Sequence, residues 1–82
     1  LADYRGQVLA ALQDAQAALA RFGAARIALG EAGVAARGAG EIARLQALRA
    51  RGGTLADADA LEAERQALDA RLAESEARAD LA

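Results

Sequence analysis

The sequence predicts an all-α fold, a long antiparallel coiled-coil hairpin. Three observations carry that expectation. Large apolar residues recur at coiled-coil steps, a Gly52-Gly53 pair interrupts the pattern once, and the two sides of the interruption carry opposite charge. No window alternates with strand period, proline is absent, and only one Tyr and one Phe occur among 82 residues.

The first helix is expected over about residues 3–51. Leu1, Val8, Leu12, Leu19, Phe22 and Leu29 follow steps of seven, four, seven, three and seven, which lay a seam along one face. Beyond Leu29 the seam is read through smaller residues to Ile42, Leu45 and Leu48. Gly30, Gly33, Gly38 and Gly40 complicate this stretch, because each costs about 0.8–1 kcal/mol relative to alanine inside a helix. Two readings stay open. A break near Gly30 would give a three-helix bundle. An unbroken helix would use Gly23, Gly30, Gly33 and Gly40, spaced by heptads, as a stripe where a neighbouring backbone comes close.

The turn is expected at residues 52–54. A glycine pair ends a helix at little steric cost, and Arg49 and Arg51 suit the carbonyl end of the helix dipole. Thr54-Leu55-Ala56-Asp57 has the form of a capping box that restarts the chain. A second helix follows over about residues 55–81, with Leu61, Leu68, Leu72 and Ala79 continuing the seam. Residues 1–82 thus form a single helical hairpin.

Charge is divided between the two arms. Up to Gly52, seven arginines face four acids, a balance of +3; from Gly53, three arginines face eight acids, a balance of −5. The arms are therefore complementary, although exposed ion pairs contribute only about 0–1 kcal/mol each. An unbroken first helix would be roughly 75 Å long and the second about 40 Å, at about 1.5 Å per residue. The first helix before about Ala24 would then lack a partner within its own chain, and other helices are expected to cover it, from another copy in a homo-oligomer or from further parts of the same protein.

Composition narrows the chemistry. The chain is 55% hydrophobic, but alanine supplies much of that, so helix is favoured more strongly than a large core. Cysteine, histidine, methionine, tryptophan and lysine are missing, which removes disulfides, thiolate or imidazole metal ligands and the usual general bases. Thr54 and Ser75, the only aliphatic hydroxyls, have no such base to activate them. The chain is expected to be no enzyme, with no cofactor and no metal. Scattered arginines, an acidic balance and scarce aromatics argue against nucleic acid. No stretch has the roughly 18 uncharged apolar residues of a membrane span, and no signal-peptide pattern is present. Any membrane part is expected outside this chain, which opens at Leu1 and reads as a fragment or processed product.

Two stretches resemble outer-membrane efflux proteins, the TolC-like channels that include many lipoproteins. YRGQVLAALQDAQAALARF, from Tyr4 to Phe22, is similar to the start of that family's last long tunnel helix. RARGGTLADADALEAERQALDA, from Arg49 to Ala70, resembles its second-repeat tip, where a glycine turn precedes a helix of the LDVLDAQR type; here that pattern reads ADALEAER, from Ala58 to Arg65. The resemblance implies a trimeric conduit, a β-barrel in the outer membrane continued by a helical tunnel across the periplasm. Its hairpin tips meet a periplasmic adaptor and an inner-membrane pump. By that resemblance Asp59 and Glu62 are the channel-entrance carboxylates, and Gly52, Gly53, Thr54 and Leu55 form the tip turn that contacts the adaptor. Two departures stand out: Ala50 replaces the aromatic common before the glycine turn, and Leu55 replaces a basic residue some members carry after it.

Two other functions compete. The adaptor of the same pumps also has a coiled-coil hairpin, whose tip uses an arginine, a leucine four residues on and a serine seven beyond. Arg44 and Leu48 fit, but Leu55 occupies the serine position. A generic oligomerisation coiled coil needs nothing special at the turn. For Asp59 and Glu62 the plain alternative is a solvated acidic face.

Overall fold

Alanine-rich runs lose little side-chain freedom on entering a helix, and nearly the whole chain is helical. In the computed structural model, which describes residues 2–82, helix α1 spans Ala2–Arg51 and helix α2 spans Asp57–Leu81. The two pack against each other as an antiparallel hairpin, with no strand among the described residues. The rod measures 77 × 15 × 14 Å, and its radius of gyration is 21.6 Å. A compact domain of this length would have about 12 Å. Burial in this rod therefore comes from one seam rather than from a central core.

Helix α1 runs unbroken through Gly30, Gly33, Gly38 and Gly40, so the three-helix alternative is excluded. The glycine stripe is only partly a contact face. A methyl group added at Gly23, Gly30 or Gly40 would meet nothing within 4 Å, so no backbone comes close at those positions. At Gly33 it would lie 3.1 Å from Glu74 Oε2 and 3.4 Å from Arg37 Nη1, the mobile ends of two long side chains. Gly38→Ala is accordingly expected to stabilise the chain by about 0.8–1 kcal/mol, the full helix-propensity difference. Gly33→Ala should gain less, since both side chains must shift. Urea titration followed by circular dichroism reads the difference.

The seam departs from the leucine pattern expected beyond Leu29. The seam positions, all half-buried or buried, are Leu29, Gly33, Ala36, Gly40, Ala43, Ala47 and Ala50 on α1, beside which Gly23, Ala25, Ala32, Ala39 and Gln46 are also half-buried, and Ala60, Ala63, Ala67, Ala70, Glu74, Ala77 and Leu81 on α2. Both series step alternately by three and four over the same 21 residues. Ala50 therefore sits opposite Ala60 at the turn, and Leu29 opposite Leu81 at the open end. Ala67 is 1% exposed and Ala36 7%, the most buried side chains of the hairpin. Ile42, Leu45, Leu48, Leu61, Leu68 and Leu72 all face outward, at least 46% exposed. The reason is steric. Alanine and glycine on α1 opposite alanine on α2 leave little side-chain bulk between the two helices, and leucines a position away cannot enter so narrow a gap. Val8, Leu12, Leu19 and Phe22 do lie on the continuation of this seam, but α2 does not reach them. Leu1 lies outside the described residues.

The complementary charge of the arms is not expressed as ion pairs between them. All four ion pairs among the described residues lie within one helix: Arg44–Glu41 at 2.6 Å, Arg65–Glu62 at 2.6 Å, Arg65–Asp69 at 2.9 Å and Arg78–Glu74 at 3.5 Å. Pairs three or four residues apart on one helix meet with little rearrangement. Along one side of the seam Arg44 and Arg51 share a groove with Glu64 and Asp57, but each pair stays beyond ion-pair distance. The opposite charges contribute only as a diffuse field, screened over about 8–10 Å of saline.

Candidate functional site

The tip is built from the helix end upward. Gly53 adopts φ +80°, the left-handed conformation that L side chains avoid. That bend lets Thr54 N–H donate to Arg49 O at 3.0 Å and Gly53 N–H to Ala50 O at 3.2 Å, the two bonds of a Schellman motif. Gly52 N–H donates to Leu48 O at 3.0 Å, completing the last helical turn. Gly52, Gly53 and Thr54 are exposed, and Leu55 is half-buried.

The capping box is not formed. Thr54 Oγ1 donates to Arg49 O at 3.2 Å, backward onto α1, and so does not accept from the second helix. The Schellman bonds hold Thr54 against the end of α1, out of reach of the α2 amides. The turn consequently runs from Gly52 to Ala56, and α2 begins at Asp57 rather than at residue 55. Its N-cap is Ala56, in extended conformation and with no side-chain hydrogen bond. Asp57 and Asp59 in the first turn offset this loss, as Arg49 and Arg51 do at the end of α1. Each such charge is worth about 0.3–1 kcal/mol against the helix dipole.

Asp59 and Glu62 sit one turn apart on α2, both exposed, just beyond the tip. Their electrostatic situations differ. Glu62 accepts two hydrogen bonds from Arg65, at 2.6 and 3.1 Å, and a longer one from Gln66 at 3.4 Å. The hydrogen bond from Arg65, helped by its charge, holds the Glu62 carboxyl below the usual carboxylate range. Arg65 also binds Asp69, so Glu62, Arg65 and Asp69 form a short chain of charges along the helix. Asp59 makes no ion pair among the described residues. The expected carboxylate pair thus reduces to one free acid and one neutralised by its own helix.

Glu41 is likewise held low by its hydrogen bonds from Arg44. A carboxyl lowered in the helix contributes fully above the ordinary range near pH 4.3, and the contribution is lost as pH falls through the lowered value. Helicity is therefore expected to decline on the acid side, and R44Q with R65Q should flatten that decline in a pH titration followed by circular dichroism.

Among the described residues no three acids cluster as a metal site, and no helix is long and apolar enough to cross a membrane. No protein family, curated protein or solved structure matches this chain. What the geometry offers is a tip and a set of outward apolar side chains on both helices.

Proposed function

We propose that the chain is a hairpin from the wall of a trimeric outer-membrane efflux channel's periplasmic tunnel, its glycine tip directed at a periplasmic adaptor and an inner-membrane pump. One observation carries the reading. The hairpin spends its smallest residues on its own seam and turns Val34, Ile42, Leu45, Leu48, Leu61, Leu68 and Leu72 outward, all at least 46% exposed. A helix pair built so is a stave: where the two helices pair, the small residues make the inner contact, and the large apolar side chains await lateral neighbours. The tip order of glycine turn and ADALEAER segment supports placing the staves in a tunnel of this family.

In that setting three copies of Asp59 ring the entrance, with Glu62 one turn further in. A ring of carboxylates favours cations over anions. Asp59→Ala in the intact channel is expected to reduce cation preference in single-channel recordings, and Glu62→Ala to do so less, because Arg65 already balances that charge. Unchanged conductance and selectivity in both variants would refute the entrance assignment.

A second reading has one observation in its favour. The pairing of Glu62 with Arg65 is what an ordinary solvated coiled-coil face provides, as in an oligomerisation module with no transport role. Such a module would tolerate Asp59→Ala and a charged Thr54→Arg tip equally, whereas a docking tip would lose its adaptor with the arginine.

A further inference from the structure

The end of α1 that α2 does not reach presents a seam with its own register. Every residue from Asp3 to Phe22 is exposed, including Val8 at 51%, Leu12 at 53%, Leu19 at 70% and Phe22 at 53%. These four lie with Arg5, Ala15 and Arg26 on the same heptad stripe that closes the hairpin further along. The chain exposes 6369 Å², where a compact monomer of 8.3 kDa would expose about 4,600 Å². That excess is spread over the 77 Å rod, and residues 3–22 carry the share of it that continues the hairpin seam without a partner helix.

We propose that the 82-residue chain pairs with a second copy of itself through this stripe, the two α1 arms running antiparallel. The stripe is self-complementary in one register. Val8 meets Leu19 of the second copy, Leu12 meets its Ala15, and Arg5 meets its Phe22, each layer occurring twice about the twofold axis. Leucine faces valine in one apolar layer and alanine in the other. The flanking positions Tyr4, Ala11, Ala18 and Ala25 are uncharged and mostly small, so the backbones can approach without like charges meeting. Phe22 already carries Arg26 at 6.0 Å from its ring centre, and Arg5 of the second copy would take the ring's free side. Parallel pairing in register is disfavoured, because it would stack Arg5 on Arg5 and Arg26 on Arg26. The pairing stands on this stripe alone and does not depend on the tunnel reading; in a tunnel wall a neighbouring antiparallel helix would take the same place.

Sedimentation equilibrium of the 82-residue chain is expected to show a dimer; a monomer or a trimer would overturn the proposal. The chain has no cysteine, so introduced ones are unambiguous. Mixed Val8→Cys and Leu19→Cys chains should cross-link to each other on oxidation. Val8→Cys alone should not, since its two sulfurs would be about 16 Å apart along the axis and a disulfide needs α-carbons within about 7 Å. A Val8→Cys homodimer disulfide would show parallel pairing and refute the register. The Leu12→Asp, Leu19→Asp double variant changes only exposed arm residues, so the hairpin should keep its helicity while the dimer dissociates. A dimer that survives both aspartates would place the contact elsewhere and overturn the proposal.

Discussion

Ala67→Leu is expected to lower the stability of the hairpin by at least about 1–3 kcal/mol, the usual cost of forcing extra methylenes into a filled site. Ala67 is 1% exposed on the α2 seam, where the stripe of α1 it pairs with is made of alanine and glycine. The added isopropyl group must push the helices apart along several layers. The companion experiment is Leu68→Ala, one residue on. Were leucines the seam, that change would cost about 2–5 kcal/mol. With Leu68 52% exposed it should fall within about 0.5 kcal/mol of the parent. Urea unfolding at one fixed protein concentration separates the two, since any pairing of copies makes the midpoint depend on concentration. A destabilised Leu68→Ala beside a tolerated Ala67→Leu would reverse the assignment of inside and outside.

Gly53→Val should cost about 1–2 kcal/mol or more, because φ +80° brings an L side chain against its own carbonyl and a β-branched one most of all. The Schellman bonds from Gly53 and Thr54 depend on that conformation, so the cost falls on the reversal itself. Gly52 is a different case. A methyl group there would meet Leu48 O at 3.5 Å and Arg49 O at 3.7 Å, ordinary contacts, and its φ is not positive. Gly52→Ala is expected to be neutral or mildly stabilising. Thermal unfolding of the two variants would show the split, and equal losses would mean that both glycines are bent.

The helical class and the reversal were legible because they rest on strong local signals. Proline-free, alanine-rich runs and a glycine pair flanked by arginines leave few alternatives. The seam was legible only as far as Leu29. Up to that point its residues are large, and Val8, Leu12, Leu19, Phe22 and Leu29 mark the right face. Past it the stripe continues through Gly33, Ala36, Gly40, Ala43, Ala47 and Ala50, residues too small to stand out against an alanine background. Reading by size jumps instead to Ile42, Leu45 and Leu48, and on α2 to Leu61 and Leu68, each one position from the half-buried Ala60 and the buried Ala67. The step of alternating three and four in small residues was the available signal.

At the tip, sequence located the turn but mistook the partner of Thr54. A threonine three residues before an aspartate satisfies the pattern of a capping box, yet it also follows a left-handed glycine, and the Schellman bonds claimed it first. Asp59 and Glu62 were placed on one exposed face, as their spacing requires. That Arg65 would neutralise Glu62 and not Asp59 follows from the i,i+3 relation, which three residues of sequence already contain.

The central claim is that the chain reverses at Gly53 and closes on a small-residue seam. Spin labels at Glu31→Cys and Glu76→Cys, both exposed, test it by pulsed dipolar distance measurement in chains diluted with unlabelled protein. The hairpin sets these positions on neighbouring helices about 8–10 Å apart, so the labels should give a narrow distribution below about 30 Å. One straight helix through the glycines would put them about 68 Å apart, and that distance would contradict the fold described here.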